Sequence, residues 1–181
     1  MQTLQQSMLE LVRQRSEGQH SDDYIATVAA SGHIVLVRKI ALWWRRMQIC
    51  NFSRLTSALL LSRNKLDQEI TDFMRLCSYS AFNEEIGIQF LEFVSAHSKD
   101  ELLNAIATFE LAMIKIKMGA KIECEIPICC EPYELIEGLL KNNLDEEKLT
   151  MQKHIIMVSY LRVDLFTAEP DDFAGSRAIR F

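Results

Sequence analysis

Residues 98–128 read SKDELLNAIATFELAMIKIKMGAKIECEIPI, and this stretch decides the fold class because its hydrophobic period changes in the middle. Ser98 and Glu101 form a capping-box pattern that opens a helix, and apolar residues then recur every three to four positions as far as Gly119. After Gly119 the apolar residues alternate with charged ones, which is typical of a half-buried strand. The stretch therefore predicts a helix followed by a strand.

Upstream of this stretch the sequence shows only helical periodicity. The predicted helices cover residues 2–15, 22–30, 33–52, a segment after Ser53, 64–77 and 84–96, with a loop at 78–81. Ser21, Ser53 and Asn83 are the predicted N-caps, and Gly32 is predicted to follow the end of the second helix. Gly87 lies inside a predicted helix, where glycine is unfavourable, so we expect another helix to approach closely there.

Downstream, residues 131–141 predict a short helix with Pro132 at its first position. Residues 154–167 are rich in β-forming side chains and predict either one bent strand or two short strands that turn near 162–164. We therefore expect an α+β protein, with an N-terminal bundle of about six helices over 1–119. A small antiparallel sheet with one short helix follows over 120–169, and residues 170–181 are expected to be a mobile tail.

The predicted helix at 33–52 contains the most informative apolar pattern. Leu36, Ile40, Trp43 and Met47 recur at helical spacing and are predicted to form its core stripe. Two adjacent tryptophans cannot both point into the same core, so one of them is expected at a groove or an interface. Because tryptophan and arginine are enriched at binding hot spots, the predicted partner-binding anchors are Trp44, Arg45 and Arg46.

The composition predicts a globular cytoplasmic protein. Of the 181 residues, 49% are hydrophobic, and the apolar runs are too short or too interrupted by charge to predict a membrane span or a signal peptide. The five cysteines are an odd number without C-x-x-C spacing, which indicates reduced thiols. Cys129 and Cys130 are adjacent and have the chemistry to bind a soft metal or form a strained disulfide, but we favour two small, partly buried hydrophobic residues.

The chain is acidic overall, with a net charge of −5, yet it contains one long basic run. No acidic residue lies between Asp23 and Asp67, whereas seven basic residues extend from Arg38 to Lys65. Such a run is suited to a nucleic acid or an acidic protein surface. The alternative is a solvated face whose charge is balanced by acidic residues from other helices.

The sequence predicts no catalytic residue, no metal site and no cofactor in this chain. Phosphate-binding, metalloprotease and nucleophile-elbow motifs are not found, and the four histidines are far apart in the sequence. Glu110 borders the predicted core stripe of its helix, so we expect a structural ion pair with Arg45, Arg46 or Arg54.

The predicted sheet has exposed edges, and natural proteins usually protect such edges. The segment around residues 155–158 carries no charged side chain that would discourage pairing with another strand. Either the chain covers this edge itself, or a peptide adds a strand to it through backbone hydrogen bonds. In the second case the peptide-binding residues are Ile155, Met157, Ser159 and Leu161.

Three motifs give the chain a resemblance to a known family through their order and spacing. They are Trp43-Trp44-Arg45, Ser80-x-x-Asn83-x-x-x-Gly87-x-x-Phe90-Leu91-x-Phe93 and Phe109-Glu110-x-Ala112. In this arrangement the chain resembles the MbnC family of accessory subunits of methanobactin biosynthesis. It is less closely similar to the wider family of helical proteins that accompany TIM-barrel multinuclear iron enzymes. The similarity extends over most of the chain.

The resemblance implies an accessory subunit rather than an enzyme. MbnC-like proteins pair with the barrel enzyme MbnB, whose iron centre uses oxygen to convert cysteines of the ribosomal precursor peptide MbnA into oxazolone and thioamide groups. By this resemblance the chain docks the barrel and holds the peptide leader, while the iron belongs to the partner. The alternatives are a helical DNA-binding regulator that uses the basic run and a homodimer that pairs its sheet edges.

Overall fold

The computed structural model describes residues 2–12, 23–77 and 83–171, and within them it shows an α+β fold. The elements are α1 Gln2–Val12, α2 Asp23–Ala30, α3 Gly32–Phe52, α4 Arg54–Ser62, α5 Leu66–Leu76, α6 Asn83–His97, α7 Glu101–Lys117, β1 Glu123–Ile128, α8 Pro132–Leu140, β2 His154–Ser159 and β3 Phe166–Pro170. The predicted fold class is confirmed. The predicted Ser21 cap, the Asn83 side chain, the loop at 78–81 and most of the tail at 170–181 lie outside the described residues.

The three strands form one antiparallel sheet in the order β1-β2-β3. The side chains of Ile126, Ile156 and Val158 are buried on the face that packs against α7. The chain turns between β2 and β3, where Leu165 adopts a left-handed conformation at φ 61°. Of the two predicted alternatives, the structure therefore has two short strands and not one bent strand.

β2 is the central strand, so the prediction of a peptide-accepting edge at Ile155, Met157 and Ser159 is wrong. The backbone of β2 is paired with β1 on one side and with β3 on the other. Leu161 lies in the exposed turn after β2 rather than on a strand. The sequence shows that these residues form a strand, but the order of strands depends on pairings between distant segments.

The helices and the sheet share one hydrophobic core. Phe73, Phe90 and Ile106 are fully buried among the helices, and Ile126 and Ile156 extend the same cluster into the sheet. The change from helix to strand near residue 120 is thus a change of secondary structure, and residues on both sides pack into a common interior.

Gly87 marks the close approach that its position in the sequence predicts. A Cβ atom at Gly87 would lie 2.3 Å from the Cβ atom of Phe52, at the last residue of α3. Since real side chains do not approach so closely, only glycine lets α6 pack at this distance from the end of α3.

Three residues that were predicted to cap helices have other roles in the structure. α7 is capped by Asp100, whose carboxylate accepts the Leu103 amide at 2.8 Å, so Ser98 is not the N-cap. Gly32 begins α3 instead of following α2, because Ser31 caps α3 by accepting the His33 amide. Ser53 is the N-cap residue of α4 as predicted, but its hydroxyl donates to the Ile49 carbonyl at 2.7 Å and accepts no amide of α4.

Candidate partner-binding surfaces

The predicted core stripe of α3 faces solvent, so the prediction that it packs into the core is wrong. Leu36, Ile40 and Trp43 are each 57% exposed, and Met47 is 45% exposed. α3 packs on α6 and α4 through the opposite side, where Ile34 and Ile49 are buried. The helix carries apolar residues on both sides, and the bundle covers only one of them.

Trp44 extends this exposed stripe and is 55% exposed. The rings of Trp43 and Trp44 lie 6.1 Å apart between centroids and are tilted by 46°. Beside Trp44 is a shallow hollow of about 390 Å³ that is lined by Val37, Ile40, Ala41 and Arg45. We call Leu36, Ile40, Trp43, Trp44 and Met47 together the α3 docking face.

The three predicted partner-binding residues occupy different places around this face. Trp44 belongs to it, and Arg46 lies at its border with its Nε atom 3.2 Å from the Asp67 carboxylate. Arg45 is half-buried and donates to the Gln48 side-chain oxygen at 2.7 Å, on the side of α3 that packs into the bundle. The helical spacing of Ile40 and Trp43 predicts core residues, but both lie on the surface.

Several cations of the basic run are engaged in intramolecular contacts. Arg38 donates twice to the Leu11 carbonyl, at 2.7 and 3.0 Å. Arg63 forms ion pairs with Asp100 at 2.8 Å and Glu146 at 2.7 Å, and the Glu146 hydrogen bond is the main cause of its raised pKa. These contacts favour the interpretation in which acidic residues from other elements balance the basic run.

Glu110 does not form the predicted ion pair. Its two carboxylate oxygens accept the backbone amides of Leu55 at 2.8 Å and Thr56 at 2.9 Å, in the first turn of α4. The first amides of a helix have no partner within the helix and carry partial positive charge, so they bind a carboxylate well. Burial raises the pKa of Glu110, and the backbone hydrogen bonds oppose that rise.

The outer edge of the sheet next to α7 belongs to β1. The Tyr160 amide donates to the Ile122 carbonyl, so even-numbered residues of this segment point their backbone groups toward β2 and odd-numbered ones point away from it. Glu123 and Pro127 are therefore directed outward. Proline has no amide hydrogen to offer, which is why it is tolerated at such an edge.

A groove of about 590 Å³ lies between β1 and α7. Asn104 and Thr108 of α7 line one wall, and Pro127 and Cys129 lie at the β1 side. Cys129 is half-buried, whereas Cys130 is buried and its pKa is raised to about 12, chiefly by burial. The favoured interpretation of this pair as partly buried hydrophobic residues agrees with these environments.

Compared with known proteins, the chain matches no family model, no curated protein and no solved structure. Within the described ranges, no single helix is both long and apolar enough to cross a membrane. α2 and α3 meet the length and composition requirement only together, and they are bent by 75° relative to each other. Function is therefore inferred from the α3 docking face and from the groove between β1 and α7.

Proposed function

We propose that this protein is a non-catalytic subunit that docks a partner protein through the α3 docking face. The observation that carries the proposal is the row of large apolar side chains on the solvent side of α3. Contiguous apolar patches of this kind mark interaction sites, because leaving them in water is unfavourable. Trp43 and Trp44 lie side by side in this face, and tryptophan is one of the residue types most enriched at binding hot spots.

The resemblance to MbnC-like proteins extends this proposal to a class of complex. In that reading the partner is a TIM-barrel enzyme with a multinuclear iron centre, and the complex modifies cysteines of a ribosomal precursor peptide. The partner supplies the iron and the oxidation chemistry. This chain contributes the docking face and a site for the peptide leader.

The peptide site in this proposal is the groove between β1 and α7, and it replaces the paired strand β2. An extended peptide beside β1 has the outward backbone groups of Glu123 and the outward carbonyl of Pro127 available to it. Its side chains reach Asn104 and Thr108 on the α7 wall. Strand addition of this kind gains affinity from backbone hydrogen bonds and specificity from alternate side chains.

Affinity capture from native lysate tests the docking proposal. The tagged full chain is compared with Ile40→Asp, which places a charge in the centre of the α3 docking face. The matched control is Val163→Asp, because Val163 is 98% exposed in the β2–β3 turn, away from α3. We expect the main partner to be lost with Ile40→Asp and retained with Val163→Asp.

Retention of the same partner by Ile40→Asp overturns the docking proposal, provided that circular dichroism shows both variants folded. The metal content of the captured partner tests the oxygenase part separately. An iron-containing partner supports it, and a partner without iron leaves docking intact but removes the assignment to an iron oxygenase.

A further inference from the structure

The α3 docking face has the spacing of a helix-pairing seam. Leu36, Ile40, Trp43 and Met47 are separated by four, three and four residues. This alternation keeps one row of side chains facing a second helix that winds along the first, as in two-stranded coiled coils. The face is therefore suited to a helix lying lengthwise on α3.

The two flanks of this seam differ in charge. Lys39 and Arg46 lie along one flank, whereas Val37 and Trp44 lie along the other. α3 contains no acidic residue. Asp67 of α5 is the acidic group that contacts Arg46, and Lys39 is exposed. A helix on this face thus meets Lys39 and the Arg46–Asp67 pair along one side, and the uncharged Val37 and Trp44 along the other.

We propose that the occupant of the α3 docking face is an amphipathic helix of another protein, with acidic residues along the flank that faces Lys39 and Arg46. This inference rests on the proposed docking function and names the chemistry of the partner. Opposite charges at the flanks of paired helices determine partner choice and orientation. The partner helix supplies the negative charge that α3 lacks.

A second copy of this chain fits the face less well. In an antiparallel pair of α3 helices, Lys39 of each copy would lie opposite Arg46 of the other, so two pairs of like charges would face each other along the same side of the seam. In a parallel pair Lys39 would face Trp44 and Arg46 would face Asn51, so no acidic residue would meet either cation. The charge pattern therefore favours an acidic partner helix.

The chain provides its own reporter for this interaction. Its two tryptophans, Trp43 and Trp44, both lie in the docking face, so helix binding would bury them and shift their fluorescence to shorter wavelength. The probe is a synthetic helix of about three heptads with leucine at the seam positions and glutamate at both flanks. The matched probe has lysine in place of every glutamate.

We expect the glutamate probe to bind the full chain at least about tenfold more tightly than the lysine probe at low salt, since charged flanks favour opposite charge. The preference should shrink as salt screens the exposed charges. Lys39→Glu should reduce the preference by about threefold, because one exposed charge pair contributes only a modest free energy. Lys121→Glu, an exposed charge change beyond α7, should leave it unaltered.

Equal affinity for the two probes, or an unchanged preference in Lys39→Glu, overturns the inference. So does a dimer of the chain by sedimentation that Ile40→Asp abolishes, which would assign the face to a second copy. A tryptophan shift with phosphatidylserine vesicles but not with the glutamate probe would assign it to a membrane surface. The docking proposal is tested separately by the capture from lysate. It fails if Ile40→Asp retains the partner, independently of the results with the probes.

Discussion

Helices α3 and α7 are the two longest in the described part of the chain, with 21 and 17 residues, and both have apolar stripes at helical spacing. α7 lies between α4 and α6 on one side and the sheet on the other, and it buries Leu103, Ile106, Phe109 and Ala112. α3 buries Ile34, Gln48 and Ile49 and exposes its longer apolar stripe. Apolar spacing identifies a stripe, but the position of a helix among the layers decides whether that stripe is core or surface.

The sharpest test of this contrast is one truncation repeated in each helix. Ile106→Ala removes a fully buried side chain, and we expect it to lower the free energy of unfolding by about 2–5 kcal/mol. Ile40→Ala should change it by less than about 0.5 kcal/mol because Ile40 already contacts water. Urea unfolding followed by circular dichroism measures both, and similar losses would show that the α3 stripe is buried.

The next largest effect should come from the carboxylate that joins α7 to α4. Glu110→Ala leaves the amides of Leu55 and Thr56 without their acceptor, so we expect a loss of about 1–3 kcal/mol. Glu110→Gln retains one acceptor oxygen and should lose less. The same urea unfolding measures both variants. A larger loss of unfolding free energy in Glu110→Gln than in Glu110→Ala would contradict the capping role.

The smallest effect concerns the start of α7 and depends on pH. Burial opposes ionisation of Asp100, but hydrogen bonds from the Leu103 amide and Arg63 outweigh it and lower its pKa. A lowered carboxyl pKa stabilises the folded state above the ordinary value of 3.8, and this stabilisation is lost as the pH falls through the lowered value.

Asp100→Asn keeps a capping oxygen but loses this charge. We therefore expect it to cost less than about 1 kcal/mol at pH 7, because the pair with Arg63 is partly exposed. The difference from the wild type should disappear in strongly acidic solution. If the difference in unfolding free energy between Asp100→Asn and the wild type stays constant from neutral to acidic pH, the loss comes from the cap rather than from the charge.

Much of the fold could be predicted because local patterns determine it. The change of period at Gly119 predicts the change from helix to strand, and the proline at 132 predicts the start of α8. Gly87 predicts a close helix approach, and the structure identifies Phe52 of α3 as the neighbour. In each case the information lies within a few residues of the feature.

The errors concern pairings between distant residues. Nothing local shows that β2 is flanked by β1 and β3, or that Glu110 meets the start of α4 more than 50 residues earlier. The prediction that the apolar stripe of α3 is buried was wrong for a different reason. An apolar face that binds a partner has the same composition and spacing as one that packs into a core, so periodicity cannot distinguish the two.

The Glu110 cap also bears on how the chain folds as it is synthesised. A ribosome makes α4 well before α7, so the first amides of α4 remain without their carboxylate until residue 110 has emerged. Until then α4 lacks this cap, and both α4 and α6 lack the buried face of α7 on which they pack. Stable tertiary structure in the bundle therefore waits for the second half of the chain, and a product truncated before Glu110 would be a target for proteases and chaperones.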